Sequence, residues 1–289
     1  MGETSSPRLL LIGAVAGAAL FGATFGLALF LAREPDPCTE GLILFGERCC
    51  GPGQSLVEGQ CSGVPTSCPA GMALLLGEAP GCTPRSSPIF YGGGQVVIAP
   101  TDWDSEQVER ETFSVAPFRL DSHEVSWHRF SRCSEGACAA LEGREPGAPV
   151  TQVSAPQAER FCRSFGGRLP SPEEWMFAAM GEQARRYPWG AHGLTCRRAA
   201  YGLERGPCGT TLRSPELAGA RSLGRSPEGA EDLVGNVAEL TRDASGQVFL
   251  VGGSFRSRFP AEVKSWARVP HDGAPRDDVG FRCAYAAKE

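Results

Sequence analysis

Residues 154–179 read Ser154-Ala-Pro-Gln-Ala-Glu-Arg-Phe-Cys-Arg-Ser-Phe-Gly-Gly-Arg-Leu-Pro-Ser-Pro-Glu-Glu-Trp-Met-Phe-Ala-Ala179, and they contain two helix starts with a helix stop between them. Ser154 and Gln157 have the spacing of a capping box, in which each side chain satisfies a free backbone N–H of the other. Ala158, Phe161, Cys162 and Phe165 follow at i, i+3, i+4 and i+7, giving one apolar helix face. Gly166-Gly167 ends that helix, since glycine enters the left-handed conformation of a helix C-terminus at little cost. Ser171-Pro-Glu-Glu174 is a second capping box with proline at the first helical position, and its helix carries Trp175, Ala178 and Ala179.

Outward from these helices the chain is loop-rich, and two stretches read best as strands. Val248–Val251 precedes Gly252-Gly253, and Gly280–Ala286 alternates so that Phe281, Cys283 and Tyr285 share one inward face. A net charge of −5 and a pI near 5.6 give no broad basic surface, which argues against nucleic acid as a partner. The four histidines, at positions 123, 128, 192 and 271, lack the spacing of a helical or hairpin metal site.

Near the N-terminus, Leu9–Ala32 is an uncharged run of 24 residues. A membrane-crossing helix needs about 20. A cleaved signal peptide is the competing reading, but Phe30 stands where a small residue should precede a cut after Ala32. The expectation is an uncleaved single-pass inner-membrane anchor over 9–32 with a cytoplasmic tail of residues 1–8. All 12 cysteines lie after this run, which suits an oxidising compartment and places residues 33–289 in a bacterial periplasm.

Residues 33–88 form a cysteine-rich module and linker in which Cys-x-x-Gly recurs three times: Cys38 to Cys49, Cys50 to Cys61 and Cys68 to Cys82. After each glycine comes a short apolar run suited to a small strand, Leu42–Leu44, Leu56-Val57 and Met72–Leu76. Units this short bury little apolar surface, so disulfides supply their stability, most simply within each repeat. Zinc is the alternative, although CxxC pairs are absent. A spacer or docking stalk is the expected role.

The ordered series Pro149–Ser154, Phe161-Cys162, Gly166–Pro170, Glu173–Trp175, Ala178-Ala179, Tyr187–Gly190, Asp232–Glu239, Gly252–Ser254 and Gly280–Cys283 resembles the formylglycine-generating-enzyme (sulfatase-modifying factor) family. Upstream, Pro117–Asp121 and Glu124–Ser126 fit that family's early strand and helix start. The resemblance assigns 89–287 to an α+β, loop-rich, C-type-lectin-like domain. It points to a Cys162–Cys283 disulfide, for which the inner face of the first helix and an inward position of the last strand are natural places. Cys133/Cys138 and Cys196/Cys208 would staple loops, with a redox role as the lesser alternative.

By the same resemblance, calcium would be held by the side chains of Asp232 and Glu239 and the carbonyls of Gly235 and Val237; the bland alternative is an exposed acid, a turn asparagine and a second acid paired to arginine. A further calcium site in the family uses an asparagine where this chain has Ala200, and it is not carried over. Catalytic members bind copper(I) through a cysteine three residues after the Gly-Gly-Ser serine and another five further on. Here those positions are Ser257 and Glu262, neither of them the soft thiolate that copper(I) selects, so no copper is expected. Arg256, Ser257 and Arg258 form either a loop for acidic ligands or a solvated one. The expected function is therefore a membrane-anchored binding or scaffold protein for a protein or glycan ligand of the periplasm or envelope. The enzyme alternatives are a formylglycine-generating oxidase, or an iron-dependent sulfoxide-forming relative that the scarce histidines disfavour.

Overall fold

The computed structural model describes residues 38–45, 48–57, 59–76, 80–98, 110–133, 144–208 and 213–288. Each cysteine repeat is an antiparallel hairpin: β1 (Ile43–Phe45) with β2 (Arg48–Cys50), β3 (Ser55–Val57) with β4 (Gln60–Ser62), and β5 (Met72–Leu75) with β6 (Gly81–Pro84). One disulfide closes each repeat: Cys38–Cys49, Cys50–Cys61 and Cys68–Cys82. The recurring glycines Gly41, Gly53 and Gly71 have φ of +96°, +88° and +85°, a left-handed turn that a side chain would strain.

This module is seated on the domain and is not held away from it as a stalk. Cys38, Leu42 and Cys49 pack with Leu217 and Ala220. The Thr39 hydroxyl donates to the Gly219 carbonyl at 2.6 Å, and the Thr39 N–H to that of Ala220 at 3.1 Å. Arg48 is buried and donates to Glu145 at 2.7 Å and to the Pro215 carbonyl at 2.9 Å. Residues 37–289 accordingly form one compact unit.

The domain is α+β, sheet-rich and loop-rich. Its strands are β7 (Pro88–Tyr91), β8 (Gly94–Ile98), β9 (Glu111–Val115), β10 (Phe118–Asp121), β11 (Ala238–Arg242), β12 (Val248–Val251), β13 (Arg268–His271), β14 (Val279–Gly280) and β15 (Ala284–Ala286); α1 (Trp127–Phe130), α2 (Ala155–Ser164) and α3 (Pro172–Met180) lie between β10 and β11. One sheet has the order β15–β10–β7, a second the order β13–β12–β11–β14, and β8 pairs with β9. Both capping boxes are formed, with Ser154 and Ser171 as N-caps and the Gln157 and Glu174 side chains reaching back. The buried faces of α1 and α2 bring Phe130 and Phe161 against Phe281, while α3 sets Trp175, Met176 and Phe177 against Tyr91 and Phe118.

Gly280–Ala286 departs from a single alternating strand. Val279–Gly280 runs parallel to β11, whereas Ala284–Ala286 runs antiparallel to β10, so the chain crosses between two sheets. Phe281, Arg282, Cys283 and Ala284 are all fully buried, because at this crossing neither face meets water. Cys162 on α2 is bonded to Cys283 here, and Cys196 to Cys208. Cys133 is disulfide-bonded, while its expected partner Cys138 lies outside the described residues. Among the described residues no helix is long and apolar enough to cross a membrane; the expected tail and anchor, 1–8 and 9–32, lie outside them.

Candidate functional site

At the end of β12 the chain turns through Gly252 (φ +81°) and Gly253 (φ +68°). A Cβ on Gly253 would sit 2.6 Å from the Glu262 carbonyl, so this turn demands glycine on both grounds. The turn floors a groove of about 560 Å³ lined by Leu250, Ser254, Ser257, Glu262, Val269 and Arg276, among others. Ser254 is buried; its hydroxyl donates to Asp278 at 3.0 Å and accepts the Arg256 N–H at 3.2 Å.

Ser257 and Glu262 both face this groove, and both are spent on the backbone. The Ser257 hydroxyl accepts the Ser254 N–H at 3.0 Å. Glu262 accepts the N–H groups of Arg258 at 2.5 Å and Phe259 at 3.2 Å, fixing the start of the short 3-10 helix Pro260–Val263. In the loop Arg256 pairs bidentately with Asp277 and Arg258 donates to the Arg205 carbonyl, while Arg276 pairs with Asp278. With a hydroxyl and a hard carboxylate in place of thiolates, these residues do not fit copper(I).

Behind the groove lies a buried charge cluster. Arg282 and Glu239 are both 0 % exposed, and Arg282 donates through Nε and Nη2 to the two Glu239 oxygens at 2.7 and 2.8 Å. Trp175 Nε1 donates to the same carboxylate at 3.0 Å. Glu124 accepts from the Asn236 amide at 2.7 Å and the Val237 N–H at 3.1 Å; burial, then the Asp232 and Glu239 charges, raise its pKa well above the usual carboxylate range. Asp232 accepts the Gly219 N–H at 2.6 Å, and burial, with Glu231 beside it, pushes its pKa up to about 7. Burial, with Arg282 and Arg225 nearby, lowers His123 to about 3.

The expected calcium ligands are therefore placed in another arrangement. Calcium takes six to eight oxygens at about 2.3–2.6 Å. Glu239 accepts from a guanidinium and an indole, and Asp232 accepts the Gly219 N–H. The N–H groups of Gly235 and Val237 are held by the Gly252 carbonyl and by Glu124, bonds that leave the two expected carbonyl ligands untouched. The buried cation that answers Glu239 in this structure is Arg282. No group of three or more His, Cys, Asp or Glu side chains is arranged to hold a metal among the described residues. The alternation read over Gly280–Ala286 singles out Phe281, Cys283 and Tyr285 and passes over Arg282, and Glu124 is noted only at the early helix start; the alternative of an acid paired to arginine is the arrangement found at Glu239. The available signal was an arginine inside an otherwise apolar alternation.

Comparison with known proteins adds the following. The family model described as a sulfatase-modifying factor enzyme 1-like domain matches residues 79–287. A hercynine oxygenase of Mycobacterium tuberculosis is 40% identical over 97 residues, 32% of this chain and 21% of that protein. An inactive C-alpha-formylglycine-generating enzyme 2 of Bos taurus is 32% identical over 154 residues, 48% of this chain and 50% of that protein. Half or less of these relatives' length is thus spanned. Among solved structures, Treponema denticola variable protein 1 aligns with a TM-score of 0.53 at 18% identity, over 71% of this chain and 100% of that one, which is a likeness of fold.

Proposed function

The chain belongs to the sulfatase-modifying factor enzyme 1-like family, and from that premise we propose that it is a non-catalytic member, a membrane-anchored binding or scaffold protein displayed outside the cytoplasm. The observation that carries this reading is the state of Ser257 and Glu262, which stand where catalytic members hold thiolates and serve here as backbone acceptors. Among the described residues no cysteine is free, so none of them supplies a replacement ligand. The similarity to a relative named as inactive supports the same reading. The groove has apolar lining from Leu250, Val251 and Val269, with Arg256 and Arg276 paired to acids, which suits reversible capture of a segment of protein or glycan. The disulfides support an oxidising compartment, consistent with anchoring by 9–32 and a periplasmic domain.

The enzyme alternative, a formylglycine-generating oxidase, makes the opposite prediction in one assay. The full-length chain is incubated with copper(I), oxygen and a sulfatase-type cysteine peptide, and mass spectrometry follows loss of the thiol and gain of an aldehyde. No conversion is expected. Turnover above the copper-only control would overturn the non-catalytic reading.

A further inference from the structure

On another side of the domain, a cleft of about 410 Å³ opens between the third hairpin, which contributes Thr83, Arg85 and Ser86, and the α1 segment, which contributes His128, Arg129 and Arg132. Phe165, just past α2, walls one side. Three guanidiniums and an imidazole line this space, and no carboxylate does. Arg129 is fixed from behind: it donates to the buried Asp121 at 2.5 Å and to the Tyr285 hydroxyl at 2.7 Å, and it stacks over the rings of Phe161 and Phe165 at 5.6 and 5.4 Å. Asp121 answers that one charge, which leaves the charges of Arg85 and Arg132, both on exposed residues, in excess. Burial and then the Arg132 charge hold His128 below its ordinary pKa. The Ser86 hydroxyl adds a polar group beside Arg129, while that of Thr83 is paired with Ser126.

We infer that this cleft between module and domain is a binding site for a small polyvalent oxyanion, a ligand bearing carboxylate, phosphate or sulfate groups. Guanidinium forks match these groups in charge and in planar donor geometry. The volume lies within the range of small-molecule sites, roughly 300–1,000 Å³. The site is separate from the groove at Gly252-Gly253, and its ligand need not be the groove's. It also gives the cysteine-rich module a part in recognition, because Arg85 and Ser86 follow directly on β6.

The test is calorimetric titration of the full-length chain, in detergent at low salt, with inorganic phosphate, sulfate and citrate as separate probes. At least one should bind with a Kd of about 1 mM or tighter, and Arg85→Ser with Arg132→Ser should weaken it at least tenfold. Both residues are exposed, so melting curves of the variant should match the parent. As an independent readout, the bound probe should protect Arg132 from phenylglyoxal, followed by peptide mass spectrometry. Which probe wins identifies the oxyanion's chemistry. Absence of binding by all three up to about 10 mM, undiminished binding by the double variant, or unprotected Arg132 would each overturn the assignment.

Discussion

Replacing Arg282 with methionine should be among the most damaging single changes available to this fold. Arg282 donates twice to Glu239, and also to the carbonyls of Asp121 at 3.2 Å, Ser122 at 3.3 Å and Glu231 at 2.8 Å. Methionine keeps much of the volume and removes all of these donors. Glu239 then retains one indole donor and faces Glu124 across the buried cluster with no cation to offset the charge. Breaking one side of a buried pair costs about 3–5 kcal/mol, and each stranded carbonyl adds to this unless water reaches it. With a Tm sensitivity of about 2–4 °C per kcal/mol for a domain of this size, a loss of 4 kcal/mol lowers Tm by roughly 8–16 °C. Glu239→Gln should cost less, about 2 kcal/mol, because Glu124 and Asp232 can ionise more fully to answer Arg282. The assay is urea unfolding followed by tryptophan fluorescence under non-reducing conditions, on the two single variants and the double. A cost below about 1 kcal/mol for Arg282→Met, or simple additivity in the double variant, would refute the claim that these groups form one coupled unit.

Asp232→Asn should flatten the stability profile between pH 5 and 7. The folded pKa of Asp232 is raised to about 7, so its contribution is full below the unfolded value near 4 and is lost as pH rises through 7. One proton over that window corresponds to about 2 kcal/mol, so the variant should gain on the parent from pH 5 to pH 7 by that order, as read from urea midpoints; no relative gain would place the titration elsewhere. Replacing Cys162 and Cys283 together by alanine should cost about 5 kcal/mol, since the bond closes a loop with a sequence separation of 121 residues; a cost under about 1 kcal/mol in chemical unfolding would contradict that. Calcium at millimolar concentration should leave Tm where equal magnesium leaves it, because Arg282 already supplies the positive charge beside Glu239; a calcium-specific rise abolished in Glu239→Gln would restore the site.

What the sequence made legible was local chemistry. The capping boxes at Ser154 and Ser171 could be read because every partner lies within three residues, and the hairpin repeats because each glycine and cysteine recurs at short range. The pair of half-strands at 279–286 was not legible, since the chain there serves two sheets and is buried on both faces, which removes the polar alternation that marks a strand's outer side. The same crossing hid Arg282, whose burial depends on Glu239, 43 residues earlier, and on carbonyls more distant still. At the groove, the family resemblance located positions 257 and 262, where thiols are missing. Only the structure shows that their replacements are bound into the turn. Likewise, the seat of Arg48 on Glu145 spans 97 residues, a distance no local pattern reports.

The seating of the cysteine-rich module also bears on how the chain is made. Thr39 reaches a partner 180 residues later, so at synthesis rates of about 5–20 residues per second the module waits roughly 10–35 s before its dock exists. Its three disulfides join cysteines 11, 11 and 14 residues apart and need no such wait. Six cysteines can pair in about fifteen ways, but during N-to-C emergence the first thiol meets its local partner before most competitors have been translated. In an oxidising compartment entered N-terminus first, the order of emergence would favour the local pairs, and withholding the oxidant until the chain is complete should be what scrambles the pairing.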